Sequence, residues 1–366
     1  MPKRLTAAIL IILTFAAVLS GCGKSASSLV PPAPSPAVPE NEALTRYSGY
    51  IFDAFDTVIT VTAYCSSQDK FDALLKSAED GFMHYHRLFD IYFTYPGVNN
   101  LKTVNDSAGV SPVEVSDELI DFLSFAKEMY AFTDGRMNVA MGSVLRIWHD
   151  IREYNNVMPD DIRLPDEAEL NEAARHCCID DIVIDSDKGT VFLRDAKMSL
   201  DVGAVAKGYA TERVVELLAK SGCESFAINA GGNVRVYGTK PGGASWVIAV
   251  TNPELTGDSR ALGSVDAADC SVVTSGTYQR FFEYEGRRYH HIIDGDTLMP
   301  ENRYMSVTVI TQDSGYADAL STALFNMEPA EAQRFVEGLD GVEALWVLPD
   351  GSLVASAGFT MKAPLS

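Results

Sequence analysis

The sequence predicts an α+β fold, a single large domain of mixed, mainly antiparallel sheets with flanking helices. Short runs of β-branched and aromatic residues recur along the chain, a close-spaced hairpin pattern occupies residues 182–193, and amphipathic helical segments lie among them. Strands alternating regularly with helices would instead indicate a doubly wound parallel sheet. No linker interrupts residues 46–366, so we expect them to form one domain.

The N-terminus has the pattern of an export signal. Lys3 and Arg4 precede an apolar run over 5–19, which is short for a transmembrane helix, and Leu19-Ser-Gly-Cys22 resembles a bacterial lipobox. Residues 1–21 are therefore predicted to be a lipoprotein signal peptide, with diacylglycerol on the Cys22 thiol and an acyl chain on its amine. The alternative is a plain signal peptide with a chance cysteine.

Residues 22–45 are predicted to be a spacer between the lipid anchor and the domain, because the stretch is rich in proline. Removal of residues 1–21 leaves 27 basic and 50 acidic residues, a net charge of −23. Such a chain is a poor partner for nucleic acid, and no basic patch interleaved with aromatics appears. The remaining cysteines show no CxxC pair and no Cys/His metal spacing, so we interpret them as small buried residues.

The elements follow from periodicity. The alternating run over 50–64 predicts one long strand, and helices are predicted over 69–89, after the N-cap Ser116, and over 164–176. Later strands are predicted near 182–185, 190–193, 226–229, 234–237, 246–251, 270–274, 280–284, 289–293, 305–311, 342–348 and 353–356. Two further helices are predicted over 314–325 and 329–337.

Ser199–Glu212 is the first candidate for a ligand-binding site. It predicts a strand end at 198–201, a turn at Gly203 and a helix with an apolar face formed by Ala206, Ala210, Val214 and Leu217. A strand–glycine–helix junction offers free backbone N–H groups to an anion, and Lys207 adds a positive charge. An ordinary β-α-β packing unit explains the same spacing.

Asp318 and Thr322 form a second candidate site. They stand at i and i+4 of a predicted helix, so both oxygens lie on one face and suit a hard cation such as Mg²⁺. The alternative is an aspartate that stabilises the helix N-terminus beside a buried threonine.

His290 and His291 lie at the end of a predicted strand, where at most one of them can point into a given cleft. That histidine is a candidate general base, or it satisfies a backbone carbonyl. Asp294-Gly-Asp296 resembles only a fragment of a calcium loop. Walker, GxGxxG and GxSxG motifs are absent from the sequence, which disfavours P-loop, conventional NAD and α/β-hydrolase sites.

Five motifs in order carry a resemblance to a known family. They are Asp201-Val-Gly-Ala-Val-Ala-Lys-Gly-Tyr-Ala, Asn229-Ala-Gly-Gly-Asn, Thr274-Ser-Gly-Thr-Tyr, His291-Ile-Ile-Asp and Ala317-Asp-Ala-Leu-Ser-Thr. The chain resembles the ApbE family of FAD:protein FMN transferases over about residues 49–356. The resemblance implies cleavage of FAD, transfer of FMN to a Thr or Ser of a target protein and release of AMP, with Mg²⁺.

The resemblance also implies roles for individual residues. His291 would be the catalytic base, and the metal ligands would be the Ala204 carbonyl, Asp318, Thr322 and Ser321. FAD contacts would be made by Phe55, Tyr92, Arg136, Met137, Asn138, Asp201, Lys207 and Ile293. The acceptor would be an exported flavoprotein, such as a subunit of a membrane redox complex, and the chain would sit lipid-anchored on the extracytoplasmic face of the cell membrane.

Three residues depart from the family pattern. Gly295 replaces a usual proline, Asn138 a common aspartate and Met137 a phenylalanine, which bears on the flavin side more than on the metal side. The sequence does not separate a transferase from an FAD pyrophosphatase, because both need the same pyrophosphate site. A non-catalytic flavin-binding lipoprotein and a solute-binding lipoprotein are further alternatives.

Overall fold

The computed structural model describes residues 43–254 and 260–363, which contain eight helices and fifteen strands. The predicted signal peptide, Cys22 and almost all of the predicted spacer lie outside the described residues. The helices are α1 (Gln68–Phe89), α2 (Leu101–Asp106), α3 (Asp117–Phe132), α4 (Gly142–Val157), α5 (Glu167–Ala174), α6 (Ala206–Ala219), α7 (Ser314–Phe325) and α8 (Pro329–Glu337). The strands are β1 (Thr45–Ala54), β2 (Thr57–Cys65), β3 (Val113–Glu114), β4 (Ile182–Asp185), β5 (Thr190–Leu193), β6 (Phe226–Ala230), β7 (Asn233–Tyr237), β8 (Trp246–Thr251), β9 (Ala261–Ala267), β10 (Ser271–Gly276), β11 (Phe281–Tyr284), β12 (Arg287–His290), β13 (Ser306–Thr311), β14 (Glu343–Val347) and β15 (Leu353–Ala355).

An eight-stranded sheet in the order β1-β2-β6-β7-β10-β13-β14-β15 forms the centre of the fold. All the strand pairs named here are antiparallel, and three smaller sheets pair β11 with β12, β8 with β9, and β5 with β3 and β4. The α+β class and the mainly antiparallel sheets are confirmed. In the described part of the chain, no helix is both long enough and apolar enough to cross a membrane.

The two faces of the central sheet are buried differently. Because side chains alternate along a strand, Val273 faces the helical side of the sheet and Val272 the other side. On the first side, α1, α6 and α7 contribute Phe82, Val214 and Leu320 to the main core. On the second, the β8–β9 ribbon brings in Trp246, Val250 and Val265.

The predicted long strand over 50–64 is wrong in one respect. It is a hairpin, β1 and β2, in which Ile51 pairs with Ile59. The reversal falls at Phe55 and Asp56, which take positive φ values of 55° and 51°. Aspartate tolerates the left-handed region but phenylalanine rarely adopts it, and no glycine or asparagine marks the turn, so the sequence pattern shows no break at the reversal.

Two helices were not predicted, α2 and α4. The longer of them, α4, packs Val144 and Trp148 against the β11–β12 hairpin and Ile293 in a separate small core. Its first residue, Gly142, is needed there because a Cβ would lie 2.3 Å from the Ser199 carbonyl oxygen. A glycine at the start of a helix is a weak signal, and no element is predicted over residues 142–157.

Candidate active site

A cavity of about 460 Å³ opens between the start of α6, the turn of the β1–β2 hairpin and α4. It brings together residues that are far apart in sequence. Of the sequence-predicted site residues among those described, all but Ser321 line it: Phe55, Tyr92, Arg136, Met137, Asn138, Asp201, Ala204, Lys207, His291, Ile293, Asp318 and Thr322.

The stretch that leads into α6 does not form a strand; a few single backbone hydrogen bonds hold it in place. A strand end was predicted at 198–201, but the only strand-like pairing there is an isolated bridge between Ser199 and Met141. Next to it, the Asp201 N–H donates to the Val139 carbonyl at 2.9 Å. The Asp201 carboxylate accepts from the Gly203 N–H at 2.9 Å. In α6, Ala206, Ala210 and Val214 of the predicted apolar face are buried, whereas Leu217 is exposed and Leu218 is buried in its place.

α6 and α7 meet at Asp318. Its Oδ2 accepts the Gly208 N–H at 2.8 Å, and a Cβ on Gly208 would lie 2.4 Å from the Asp318 Cβ. In a regular α-helix the Gly208 N–H would donate to the Ala204 carbonyl, four residues earlier, but here it donates to Asp318 instead. Within the described residues, no hydrogen bond ends on the Ala204 carbonyl. The carbonyl is therefore available to a ligand in the cavity.

Asp318 is a buried carboxylate, and its burial raises its pKa, while the Lys207 charge and the Gly208 amide act in the opposite direction. Beside it, the buried Asn233 side chain likewise favours the charged form of the carboxylate. A carboxylate, the Thr322 hydroxyl and the Ala204 carbonyl form an all-oxygen donor set. This set is the kind that Mg²⁺ prefers, with the remaining positions left to water and phosphate oxygens.

Ser321 is placed differently from its neighbour Thr322. Its side chain is fully buried outside the cavity lining, and its hydroxyl bonds to Ser275 Oγ at 2.7 Å and donates to the Asp318 carbonyl at 2.9 Å. It therefore supports the α7–β10 contact, and the candidate metal site contains Asp318, Thr322 and Ala204. Among residues 43–254 and 260–363, no group of three or more His, Cys, Asp and Glu side chains could hold a metal ion.

The two adjacent histidines point in different directions, as a strand end requires. His290 is buried, its Nε2 lies 3.0 Å from the Glu301 carbonyl, and its Nδ1 accepts from the Ile292 N–H at 3.2 Å. His291 lines the cavity, and its buried Nδ1 is without a partner in the described structure. Burial, with the charges of Arg280, Lys207 and Arg152, lowers the His291 pKa to about 3. The imidazole is therefore neutral; a pKa this low makes it a weak base, and an anionic ligand in the cavity would raise the pKa.

The cavity contains basic side chains that the sequence did not single out. Arg152 and His149 extend from α4, where Arg152 Nη2 lies 2.9 Å from His149 Nδ1. Arg280 enters from the start of β11, and its guanidinium is 3.9 Å from Asp56. The side chain of Arg152 is only 12% exposed, and burial together with Arg280 lowers its pKa. The α4 side of the cavity could have been located from the helical spacing of Val144, Leu145, Trp148 and Arg152.

Comparison with known proteins identifies the family to which this chain belongs. The model of the ApbE family matches residues 55–346. The chain belongs to the ApbE family. The FAD:protein FMN transferase of Treponema pallidum is 35% identical over 272 residues, which cover 70% of this chain and 73% of that protein. The protein of the same name from Klebsiella pneumoniae is 31% identical over 278 residues, which cover 75% of this chain and 83% of that protein.

Solved structures show the same fold. The ApbE protein of Thermotoga maritima has a TM-score of 0.75 and 30% identity, and the match covers 86% of this chain and 97% of that one. The apo flavinyl transferase ApbE of Pseudomonas stutzeri has a TM-score of 0.70 at 24% identity, covering 86% and 95% of the two chains.

The turn at Gly295, where this ApbE-family chain departs from the usual proline, is held firmly by its neighbours. Asp294 is buried, and its Oδ1 accepts from the N–H groups of Asp296 and Thr297 at 2.8 and 3.1 Å. Its Oδ2 lies 3.1 Å from Arg303. Side-chain bonds of this kind mimic a backbone turn, so the ring of a proline is not needed to close it.

Asn138 and Arg136, also on the predicted flavin side, are both tied to the protein. The Asn138 amide donates to the Cys177 carbonyl at 3.1 Å, and its Oδ1 accepts from the Ala140 N–H. An aspartate at this position could not donate the first of these bonds. Arg136 is 2.6 Å from Asp296 and 3.4 Å from Glu331, so it joins the segment before α4 to the Asp294 turn and α8.

Proposed function

We propose that this chain transfers the FMN half of FAD to a threonine or serine hydroxyl of an exported protein, with Mg²⁺ and with release of AMP. One observation supports the proposal most strongly. Asp318, Thr322, the free Ala204 carbonyl and Lys207 converge with a neutral His291 on one cavity. The named activity of the relatives and the ApbE fold support the same reaction.

The pyrophosphate of FAD, which joins its FMN and AMP halves, would lie at the α6 side of the cavity. Asp318, Thr322 and the Ala204 carbonyl would hold the ion, which when bound would neutralise charge on the pyrophosphate. Lys207 supplies a second positive charge from the first turn of α6, and the backbone N–H groups at that helix end favour an anion. Phosphoryl transfer depends mostly on such positioning and charge neutralisation.

His291 is the group that can accept the proton of the attacking hydroxyl. The hydroxyl oxygen forms a bond to the phosphorus of the FMN half as the bond from that phosphorus to the AMP oxygen breaks. The hydroxyl proton passes to the imidazole, and AMP leaves with the bridging oxygen. A positioned general base contributes roughly 10²–10⁴-fold to such a step. The position of His291 in the cavity lining supports this role.

The flavin side of the cavity has the aromatic and aliphatic character that an isoalloxazine ring needs. Phe55 and Tyr92 line it together with Met137 and Ile293, and Tyr92 lies against His149 with ring centroids 5.6 Å apart. Aromatic pairs of this kind stabilise stacked ligands in a preformed pocket. FAD contacts by these residues and by Arg136, Asn138 and Asp201 are part of the proposal.

We also propose where in the cell this protein acts. The lipobox-like sequence ending at Cys22 supports a lipid-anchored protein on the extracytoplasmic face of a bacterial membrane, because two or more acyl chains give durable anchoring. The acceptor would then be an exported protein, such as a flavin-carrying subunit of a membrane redox complex.

The test is covalent flavin fluorescence in a denaturing gel. Full-length chain is incubated with FAD, Mg²⁺ and an acceptor protein that bears the target threonine. We expect a fluorescent acceptor band with wild type, none with Asp318→Ala, and a rate lowered at least 10²-fold with His291→Ala. FAD binding without AMP release from wild type would contradict the proposal and indicate a flavin-binding lipoprotein.

A further inference from the structure

Next to the Asp318 carboxylate lies a group of buried polar side chains from three different elements. Glu212 belongs to α6, Asn233 and Arg235 belong to β7, and Ser314 is the first residue of α7. None of the four is more than 7% exposed. Burial of a polar or charged group costs free energy unless the group is paired, so these side chains must bond to one another. They are called the polar network.

Asn233 is the member of the network that interacts with the carboxylate. Its Oδ1 accepts from the Ser314 hydroxyl at 2.6 Å. Because an amide has its acceptor at one end and its donors at the other, this bond decides which way the amide nitrogen points. The nitrogen acts on the Asp318 carboxylate and favours its charged form. Asn233 therefore links the start of α7 to the candidate metal ligand.

The other members of the network fix the first residue of α7. The Ser314 N–H donates to Glu212 Oε2 at 2.8 Å. Glu212 in turn accepts two hydrogen bonds from the Arg235 guanidinium, at 3.0 and 3.2 Å. A buried ion pair is costly to break, because removal of either partner leaves an uncompensated charge. The pair therefore holds Ser314, and with it the bond to Asn233, in one arrangement.

Asp318 lies one helical turn after Ser314 and is held from two directions. Its Oδ2 accepts the Gly208 N–H at 2.8 Å, and the Asn233 amide is a second donor. The packing is tight, since a Cβ on Gly208 would lie 2.4 Å from the Asp318 Cβ and 3.0 Å from Asn233 Nδ2. A carboxylate has about four lone-pair positions, so two hydrogen bonds fix its direction and leave positions for a cation.

We infer that Asn233 is a positioning residue of the metal site, which orients the Asp318 carboxylate and is itself oriented by Ser314. The inference rests on the proposed function, in which Asp318 holds Mg²⁺. Hydrogen-bond partners of a metal-ligating carboxylate fix its direction, and their loss typically lowers metal affinity about 10- to 100-fold. The competing explanation is that the polar network only packs α7 against α6 and β7, in which case its loss affects stability alone.

The test uses Mn²⁺ as the probe, because this ion takes the same oxygen ligands as Mg²⁺ and its binding can be followed without FAD or acceptor. Free Mn²⁺ is measured by electron paramagnetic resonance with full-length wild type, Asn233→Leu, Ser314→Ala and the double variant. Asp318→Ala shows which part of the binding belongs to this site. Ser356→Ala is the matched control, because Ser356 is a buried serine that accepts from the Ala344 N–H at 2.9 Å and is outside the cavity lining.

We expect Asn233→Leu to raise the Mn²⁺ dissociation constant about tenfold or more. Ser314→Ala should raise it more than about twofold in wild type and leave it unchanged in the Asn233→Leu background, because Ser314 acts through Asn233. Ser356→Ala should lower the urea midpoint but keep the constant within about twofold of wild type. In the transfer assay, the Mg²⁺ concentration for half-maximal rate should rise in parallel, while KM for the acceptor stays constant.

An unchanged Mn²⁺ affinity in a folded but less stable Asn233→Leu would overturn the inference and leave the network a packing role. Equal effects of Ser314→Ala in both backgrounds would overturn the part assigned to Ser314. Wild type that binds Mn²⁺ no better than Asp318→Ala would remove the metal site and the inference together.

The proposed function fails separately, if wild type transfers no FMN, and the Mn²⁺ measurement still decides the role of Asn233. Ser314→Ala keeps the test valid if Asn233→Leu does not fold, because the Ser314 side chain is outside the cavity lining. An unchanged Mn²⁺ affinity in that variant would then overturn the inference.

Discussion

At the scale of single residues, two neighbouring hydroxyl side chains on α7 are placed differently. Thr322 lines the cavity, whereas Ser321 does not line it and bonds instead to Ser275 on β10. Spacing alone placed Asp318 and Thr322 on one helix face, but it could not decide on Ser321, whose direction depends on the packing of α7 against β10.

Thr322→Ala and Ser321→Ala are therefore expected to act differently. Loss of the Thr322 hydroxyl should raise the Mg²⁺ concentration for half-maximal transfer at least tenfold, because a ligand is removed. Ser321→Ala should leave that concentration within about threefold and lower the free energy of unfolding by about 1 kcal/mol, the usual effect of a lost buried hydrogen bond. The check is a Mg²⁺ titration of the transfer rate beside urea unfolding. Equal shifts in the two variants would contradict the assignment.

His290 predicts how stability responds to acid. Burial lowers its pKa to about 4, while an unfolded chain has the ordinary histidine value near 6.5. Between these values the unfolded chain binds a proton that the folded chain does not. The stability is therefore fully present above pH 6.5 and falls as the pH decreases, by about 1.4 kcal/mol per unit.

The measurement is urea unfolding of wild type and His290→Gln at pH 7 and pH 5. Because the glutamine does not titrate, the wild type should lose roughly 2 kcal/mol more than the variant over this interval. His291 is present in both proteins, but its pKa is lowered partly by the charge of His290, so its contribution cancels only in part. Parallel losses in the two proteins would show that His290 is not the origin of the acid sensitivity.

At the scale of elements, the contact of α6 with α7 builds the candidate metal site, and Gly208 makes that contact possible. A Cβ at this position would lie 2.3 Å from the Ser314 carbonyl oxygen. The sequence contained the glycine within a motif but gave no indication that it marks a crossing of two helices.

Gly208→Ala should separate the two helices and remove the hydrogen bond to Asp318. We expect the free energy of unfolding to fall by about 1–3 kcal/mol, as for other overpacked cores, and transfer to be lost. Gly338→Ala at the end of α8 is the matched control, because its Cβ would meet nothing closer than 3.5 Å. Calorimetric melting and the transfer assay check both variants. An active, equally stable Gly208→Ala protein would refute this account of the α6–α7 contact.

The elements that sequence predicted well are those whose signals are local. α7 begins at Ser314 as expected, where Asp313 accepts from the Tyr316 N–H, and the β4–β5 hairpin has its predicted bounds. The β1–β2 turn and α4 were missed because tertiary contacts determine them. Positive φ at Phe55 and Asp56 is imposed by the fold, and Gly142 begins α4 because the Ser199 backbone passes close to it. Missing α4 also hid His149 and Arg152.

At the scale of the whole molecule, a strongly acidic protein surrounds a cavity that concentrates positive charge. The chain has a net charge of −21, yet Lys207, Arg152 and Arg280 all act on His291. A local field of this kind favours an anionic dinucleotide within a surface that repels polyanions such as nucleic acid. The ordered motifs predicted this ligand class, and the folded chain shows how residues from β1 to α7 meet around it.

The central claim is that AMP release and FMN transfer are one reaction. It is tested most directly by measuring, in one reaction mixture, AMP formed by chromatography and flavinylated acceptor by intact mass, with Mg²⁺ and with a chelator. The account predicts that the two products rise one for one with Mg²⁺ and that both stop with the chelator. AMP that accumulates with Mg²⁺ while a competent acceptor stays unmodified would contradict it and identify an FAD pyrophosphatase.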